Sequence, residues 1–239
     1  MYPFSFQNPT RIEFGLDKEK EMGKYMHEYG AKKALIIYGS ERVKQSGLFE
    51  DVAKSLREQG IEYIECGGVK SNPTISKVHK AVTMAKAFGA DSVLSIGGGS
   101  CLDSAKAIAA GACYDGDTWD FFKGTLVQKA LMIFDVITLA ATGSEMNWGS
   151  VITNEETQQK YSIHSNHLFP KVSVINPKLQ ATVSRDYLVY SAADIIAHSI
   201  EAYFTAEYRP EIIDFLVESN IKTVIRTTEI LLNDPQDLN

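Results

Sequence analysis

Asp91-Ser92-Val93-Leu94-Ser95-Ile96-Gly97-Gly98-Gly99-Ser100, running on into Cys101-Leu102-Asp103-Ser104-Ala105-Lys106-Ala107-Ile108-Ala109-Ala110, reads as a buried strand, a glycine turn and a helix. Val93, Leu94 and Ile96 are apolar and partly β-branched, which suits a strand covered on both faces. Three consecutive glycines strip the turn of side chains, so backbone can approach a ligand closely and reach positive φ. Ser100 is placed to cap the helix, in which Leu102, Ala105, Ile108, Ala109 and Ala112 recur at helical spacing. The leading N–H groups and positive dipole end of such a helix favour a phosphate. A tight strand-to-helix turn without a ligand is the plainer alternative.

Upstream, Ala34–Tyr38 is a strong apolar strand closed by Gly39-Ser40, Ile61–Ile64 alternates as another, and residues 3–15 suggest a short edge strand. Helical faces lie between them: Glu19, Met22, Tyr25, Met26 and Tyr29 up to Gly30; Leu48, Val52 and Leu56 up to Gly60; Ile75, Val78, Val82 and Ala85 after the loop Ser71–Thr74. Strand and helix alternate, the pattern of a parallel sheet with helices on both faces. Downstream, Trp119–Phe122 reads as a packed aromatic turn. Met132–Leu139 reads as a strand that runs into the hydroxyl-rich loop Ala140–Glu145. Ser150–Thr153 and Tyr161–Ile163 read as a hairpin, and Val172–Ile175 as a strand ended by Asn176-Pro177. The β pattern then stops. Ser184 caps a helical region, and Pro210 opens a last helix with Ile212, Ile213, Leu216, Val217, Ile221, Val224 and Ile225 apolar. The sequence therefore predicts an α/β domain over residues 1–179, followed over 180–239 by the start of an all-helical domain.

The chain has 239 residues and a net charge of −6, with no long basic run, which argues against nucleic acid or an anionic membrane as partner. It opens without a basic segment followed by an apolar one, and no apolar run is long enough to span a bilayer. Cys66, Cys101 and Cys113 are scattered without metal-like spacing, so free thiols in a reducing cytoplasm are expected. Cys101 stands in the first turn of the glycine-loop helix, a position that can lower a thiol pKa, although a small packed residue is the plainer role.

Asp194 and His198, four apart on one helix, share a face and can chelate a divalent ion such as Fe²⁺ or Zn²⁺. On spacing alone an intrahelical Asp–His hydrogen bond or a solvated pair is the commoner outcome. The apolar neighbours Ala193, Ile195, Ile196 and Ala197 favour a partner, since an unmatched carboxylate would be costly to bury. Thr138–Glu145, small and hydroxyl-rich at a strand's carboxyl end, can meet nucleotide at the same sheet edge as the glycine loop. His164 and His167 read as solvated loop residues or hydrogen-bond partners, His27 and His79 as surface residues, and Glu155-Glu156 as the cap of a solvated hairpin.

Asn8-Pro9-Thr10-Arg11-Ile12-Glu13-Phe14-Gly15, Tyr38-Gly39-Ser40, Ser71-Asn72-Pro73, Gly97-Gly98-Gly99-Ser100-x-x-Asp103-x-x-Lys106, Thr138-Leu139-x-Ala141-Thr142-Gly143-Ser144-Glu145-Met146-Asn147, Pro170-Lys171 to Asn176-Pro177 and Ala193-Asp194-x-x-x-His198 follow one another in order. Together they resemble the iron-containing (group III) alcohol dehydrogenase family, in particular its NADPH-dependent butanol dehydrogenase and aldehyde reductase branch. The resemblance implies a Rossmann-like dinucleotide-binding domain followed by an all-helical, metal-binding one. It implies that Gly97, Gly98, Gly99 and Ser100, with Asp103, bind the cofactor pyrophosphate. Gly39, Ser40, Asn72, Thr138, Leu139, Thr142, Ser144, Lys160 and Leu179 would line the rest of that site. Asp194 and His198 would hold the catalytic metal, which polarises a primary alcohol or aldehyde while hydride passes to or from the nicotinamide. The turn Gly39-Ser40 lacks the acid that reads a ribose 2′-hydroxyl, which favours NADP over NAD, although Glu41 follows directly. A homodimer is common among similar proteins. Relatives of this kind are longer and complete the metal shell with two further histidines. After His198 this sequence has none. A piece of a longer enzyme, or a catalytically incomplete nucleotide-binding remnant, is therefore expected. A glycerol dehydrogenase or dehydroquinate synthase chemistry is the third reading, against which the Ala141–Asn147 run argues.

Overall fold

A computed structural model describes residues 7–205 and 210–238. β1 (Arg11–Phe14) leads through α1 (Met22–Glu28) to β2 (Lys33–Tyr38), then through α2 (Arg42–Gln45) and α3 (Leu48–Glu58) to β3 (Glu62–Cys66). α4 (Ile75–Phe88) precedes β4 (Ser92–Gly97). α5 (Gly99–Ala112) and the single turn α6 (Trp119–Phe122) precede β5 (Met132–Ile137). The hairpin of β6 (Gly149–Asn154) and β7 (Gln159–His164) comes before β8 (Val172–Ile175), after which α7 (Pro177–Gln180), α8 (Arg185–Thr205) and α9 (Glu211–Asn233) follow.

Six strands form one parallel sheet in the order β1-β8-β5-β4-β2-β3, and β6 pairs with β7 antiparallel. Every residue of β4 is buried, and the row Ile36, Leu94, Phe134, Val172 runs in register across the sheet's middle. That explains why these strands read as continuous apolar runs rather than alternations: helices cover both faces. Leu35, Ile37, Val93 and Ile133 pack with Val78 of α4 and Leu102 and Ile108 of α5 in one core cluster. Met22, Met26, Val52 and Leu56 of α1 and α3 are likewise fully buried. Each such aliphatic side chain contributes on the order of 2 kcal/mol. α4 ends at Gly89, whose φ of 69° is the left-handed cap that a glycine accepts without strain.

Two expectations shift at their edges. The first strand is confined to Arg11–Phe14, with residues 3–6 of the longer reading outside the described residues. The aromatic segment at 119–122 is a one-turn helix rather than a simple turn, with Trp119, Phe121 and Phe122 buried.

The chain clusters into two compact units. The first comprises Met1–Thr138 and Ser144–Asn176, the second Leu139–Gly143 and Pro177–Asn239. In the second, Ser184 caps α8 through a Tyr187 N–H contact of 3.4 Å. α8 and α9 pack together, with Asn220 Nδ2 donating to Ser199 Oγ at 2.8 Å and Arg185 to the Leu232 carbonyl at 3.0 Å. Among the described residues no helix is long and apolar enough to cross a membrane.

α1 approaches α3 closely at Gly23, whose N–H donates to Ser55 Oγ. A Cβ there would lie inside van der Waals contact of the Ser55 backbone carbonyl, which cannot swing away as a side chain would. Overpacking of this kind costs typically 1–3 kcal/mol. Gly23→Ala is therefore expected to lower stability by roughly 2 kcal/mol in chemical denaturation; an unchanged midpoint would show that the two helices are not fixed at this distance.

Candidate functional site

The carboxyl edge of β2, β4 and β5 brings together Gly39, the glycine block and Thr138 among the sequence-predicted residues. β4 ends at Gly97, and α5 begins two residues later. Ser100 does not cap that helix. The cap is Gly98, with φ −92° and ψ −171°, and its carbonyl accepts from the N–H groups of Cys101 and Leu102 at 3.0 and 3.3 Å. The leading N–H groups of α5 therefore come from Gly99 and Ser100, and they form the positive end of a 14-residue helix. The glycine block is also not a positive-φ turn; none of its residues is in the left-handed region. Gly97 is needed for space, since a Cβ there would approach Cys101 Sγ to 2.6 Å.

Neighbouring segments close on this turn. A Cβ at Gly39, after β2, would meet Cys101 Sγ at 3.7 Å, so the Gly39-Ser40 turn lies against the first turn of α5. The Thr138 N–H donates to the Gly97 carbonyl at 2.9 Å. Lys160 Nζ on β7 donates to Asn72 Oδ1 at 2.8 Å, bringing that predicted pair together, and both side chains are exposed. Asn72 is held at φ 55°, a left-handed conformation that asparagine tolerates. The Cys101 thiol keeps its proton: burial pushes its pKa up to about 12, against the lowering that a helix N-terminus would give an exposed thiol.

Asp103 is turned inward. Its carboxylate accepts from Ser144 Oγ at 2.7 Å and from the Val151 N–H at 3.0 Å, while its carbonyl accepts from Ser150 Oγ at 2.7 Å. Burial raises its pKa, and the bond from Ser144 opposes that shift. Next to it lie residues that the sequence reading did not single out as a site. Lys106 is fully buried, and its ammonium donates to oxygens of Ser144, Asn147 and Gly149. Asp135, in the middle of β5, is fully buried and accepts from Ser173 Oγ, which also donates to the Glu145 carbonyl at 2.9 Å. In the sheet, Ser95, Asp135 and Ser173 form one polar row; Ser95 Oγ and Asp135 Oδ2 are buried without a hydrogen-bond partner. The available signal was a lone charge inside an apolar run, Asp135 in Met132–Ile137 and Lys106 in the alanine-rich α5.

In the second unit, Leu139 and Thr142 lie in the short excursion of the loop after β5, and Leu179 lies on α7. Asp194 and His198 share a face of α8, His198 Nε2 lying 3.6 Å from Asp194 Oδ2. Their side chains are 44% and 53% exposed respectively, so the buried setting expected from the flanking apolar residues does not hold in this unit. His164 ends β7 and meets Trp148 edge-on; it is not a loop residue. No group of three or more His, Cys, Asp or Glu suited to a metal occurs among the described residues.

Comparison with known proteins gives a consistent picture. The sequence profile described as iron-containing alcohol dehydrogenase matches residues 9–177. A probable NADH-dependent butanol dehydrogenase 1 of Bacillus subtilis is 42% identical over 235 residues, 98% of this chain and 60% of that protein. The NADPH-dependent aldehyde reductase YqhD of Escherichia coli is 31% identical over 99% of this chain and 61% of its own length. The crystal structure of an NADH-dependent butanol dehydrogenase A from Thermotoga maritima superposes with a TM-score of 0.95 at 46% identity, covering 99% of this chain and 60% of that one. The chain thus spans about 60% of the length of the relatives it matches.

Burial raises the Asp135 carboxyl to about 8 from an ordinary 3.8, so between those limits the folded protein holds a proton that the unfolded chain has released. Stability contributed by this group is full below about pH 4 and is lost as pH rises toward 8. Asp135→Asn is accordingly expected to flatten the fall of the denaturation midpoint between pH 5 and 8; an equal slope in both proteins would remove Asp135 as its source.

Proposed function

The chain belongs to the iron-containing alcohol dehydrogenase family, and on that premise we propose that it serves hydride exchange between NADP(H) and a primary alcohol or its aldehyde. The observation that carries this reading is the convergence of Gly39, Gly97, Cys101 and Thr138 at the carboxyl edge of adjacent parallel strands. Dinucleotides bind at that edge in open α/β sheets. A nicotinamide cofactor, when bound, supplies or accepts the hydride.

In this reading the N–H groups of Gly99 and Ser100 seat the pyrophosphate, and the bare backbone of Gly97–Gly99 permits close approach. Lys160 and Asn72 serve as a cationic and amide pair for the cofactor's sugar and phosphate oxygens. Thr138 and Ser144 line the remainder within the first unit, and Asp103 acts by bracing Ser144. Asp194 and His198 are proposed as two ligands for Fe²⁺ or Zn²⁺. Two ligands on one exposed helix do not make a catalytic shell, which keeps three protein ligands, so no chemical step is assigned to metal on these residues alone. A homodimer working on small alcohols or aldehydes in the cytoplasm completes the proposal.

NADP rests on the turn after β2. Gly39-Ser40 carries no acid, and the neighbouring Glu41 carboxylate is engaged by the Tyr38 hydroxyl at 3.3 Å and faces Lys44 at 3.8 Å. NAD is the second reading, since two of the relatives above carry NADH in their names. Fluorescence titration decides between them: an NADPH dissociation constant several-fold below that of NADH supports the first, the reverse order the second. Gly98→Val is expected to weaken binding at least tenfold by blocking approach to the pyrophosphate, and equal affinity in calorimetry would sink the glycine block as the seat. Asp194→Ala, placed in a protein of full family length, is expected to abolish aldehyde reduction while leaving NADP(H) affinity near normal; parallel loss of both contradicts the division of roles.

A further inference from the structure

Lys106 lies two turns into the helix that carries the glycine block, and its side chain is wholly enclosed. Its Nζ lies 2.7 Å from the Ser144 carbonyl, 3.0 Å from Ser144 Oγ, 2.9 Å from both the carbonyl and Oδ1 of Asn147, and 2.9 Å from the Gly149 carbonyl. Five oxygens thus surround three N–H donors, and the charged ammonium, with all three protons and no lone pair, suits that cage better than the neutral amine. The oxygens all belong to one short segment, the turn that brings the chain back from the loop after β5 into the hairpin. Asp103, one turn earlier on α5, grips the same segment at its ends, through Ser144 Oγ and the Val151 N–H. Ser144 Oγ is shared, donating to Asp103 while lying in the Lys106 cage.

We propose that Lys106 is a positioning residue: its buried ammonium fixes the Ser144–Gly149 turn against α5 and so sets the shape of the edge at which the dinucleotide binds. This role for the edge rests on the cofactor reading above; the hold on the turn does not. A helix packed in alanine has no packing need for lysine at this point, and burying an ammonium is costly without compensating oxygens. The titratable groups facing it are Asp103 on α5, Asp135 on β5, itself raised to about 8 by burial, and Glu145 on the turn itself, while Lys160 on β7 acts on Asp103. Burial lowers Lys106 to about 8, and those three carboxyl groups oppose the shift. Above that pH the amine keeps two donors for five oxygens, with its lone pair facing the rest.

Hydrogen exchange by mass spectrometry, corrected for the intrinsic effect of pH, tests this with three proteins. In the wild type, protection of residues 144–151 relative to Ser92–Gly97 is expected to fall at least tenfold between pH 7 and 9.5. Lys106→Arg, which keeps its charge, is expected to hold protection flat over that range. Lys106→Met is expected to be at least tenfold less protected already at pH 7, with NADPH affinity reduced in parallel. Should Lys106→Met fail to fold, the wild type and the arginine variant decide alone. Protection in the wild type that does not change up to pH 9.5, or an arginine variant that loses it equally, overturns the proposal. A wild type that binds no NADPH overturns the cofactor reading instead, and the exchange pattern still decides for or against Lys106.

Discussion

The whole arrangement depends on a lack of room. β4 is the sheet's fully buried middle strand, and it turns into α5 within a space that leaves no place for a Cβ at Gly97, because Cys101 fills it. The turn after β2 leans on the same cysteine, and Thr138 after β5 bonds to the Gly97 carbonyl. Three adjacent strands therefore end around one bare stretch of backbone and one helix terminus. An anionic ligand is favoured there by geometry and by the helix dipole together.

Beneath that edge the core is not purely apolar. Lys106, Asp103, Asp135, Ser144, Ser150 and Ser173 form a polar layer between α5, β5 and the start of the hairpin. Such a layer is costly unless satisfied, and most of its donors are. Burial pushes the two carboxyl groups up and the ammonium down, so each works against its own charge while the opposite charges nearby restrain the shift. Apolar packing would give a more forgiving core; what the polar layer adds is a fixed relation between the helix of the glycine block and the turn that starts at Ser144.

Much of this is legible in the sequence. Apolar runs such as Ala34–Tyr38 and Val172–Ile175 announce buried parallel strands, and Gly30, Gly60 and Gly89 mark helix ends because a left-handed residue is needed there. The hairpin follows from alternation broken by polar residues 154–160. What escaped depends on contacts distant in sequence. Asp135 meets Ser173 38 residues away, and Lys106 meets Asn147 at a separation of 41, so a lone charge could be noticed but its partners could not. Sequence favours Ser100 as the cap because any of four consecutive small residues can start the helix; backbone geometry selects Gly98. Cys101 is the small packed residue of the plainer reading, and burial raises its pKa where an exposed thiol at a helix N-terminus would have it lowered. Asp194 and His198 were placed correctly on one face, while their exposure is set by packing that spacing does not encode.

The seat for a dinucleotide at the glycine block is the centre of the account, and amide chemical shifts test it residue by residue. When NADPH is titrated into the ¹⁵N-labelled protein, the largest perturbations are predicted at Gly97–Cys101 and Thr138, with smaller ones at Asn72 and Lys160. Perturbations confined to other surfaces, or none at millimolar NADPH, would contradict it.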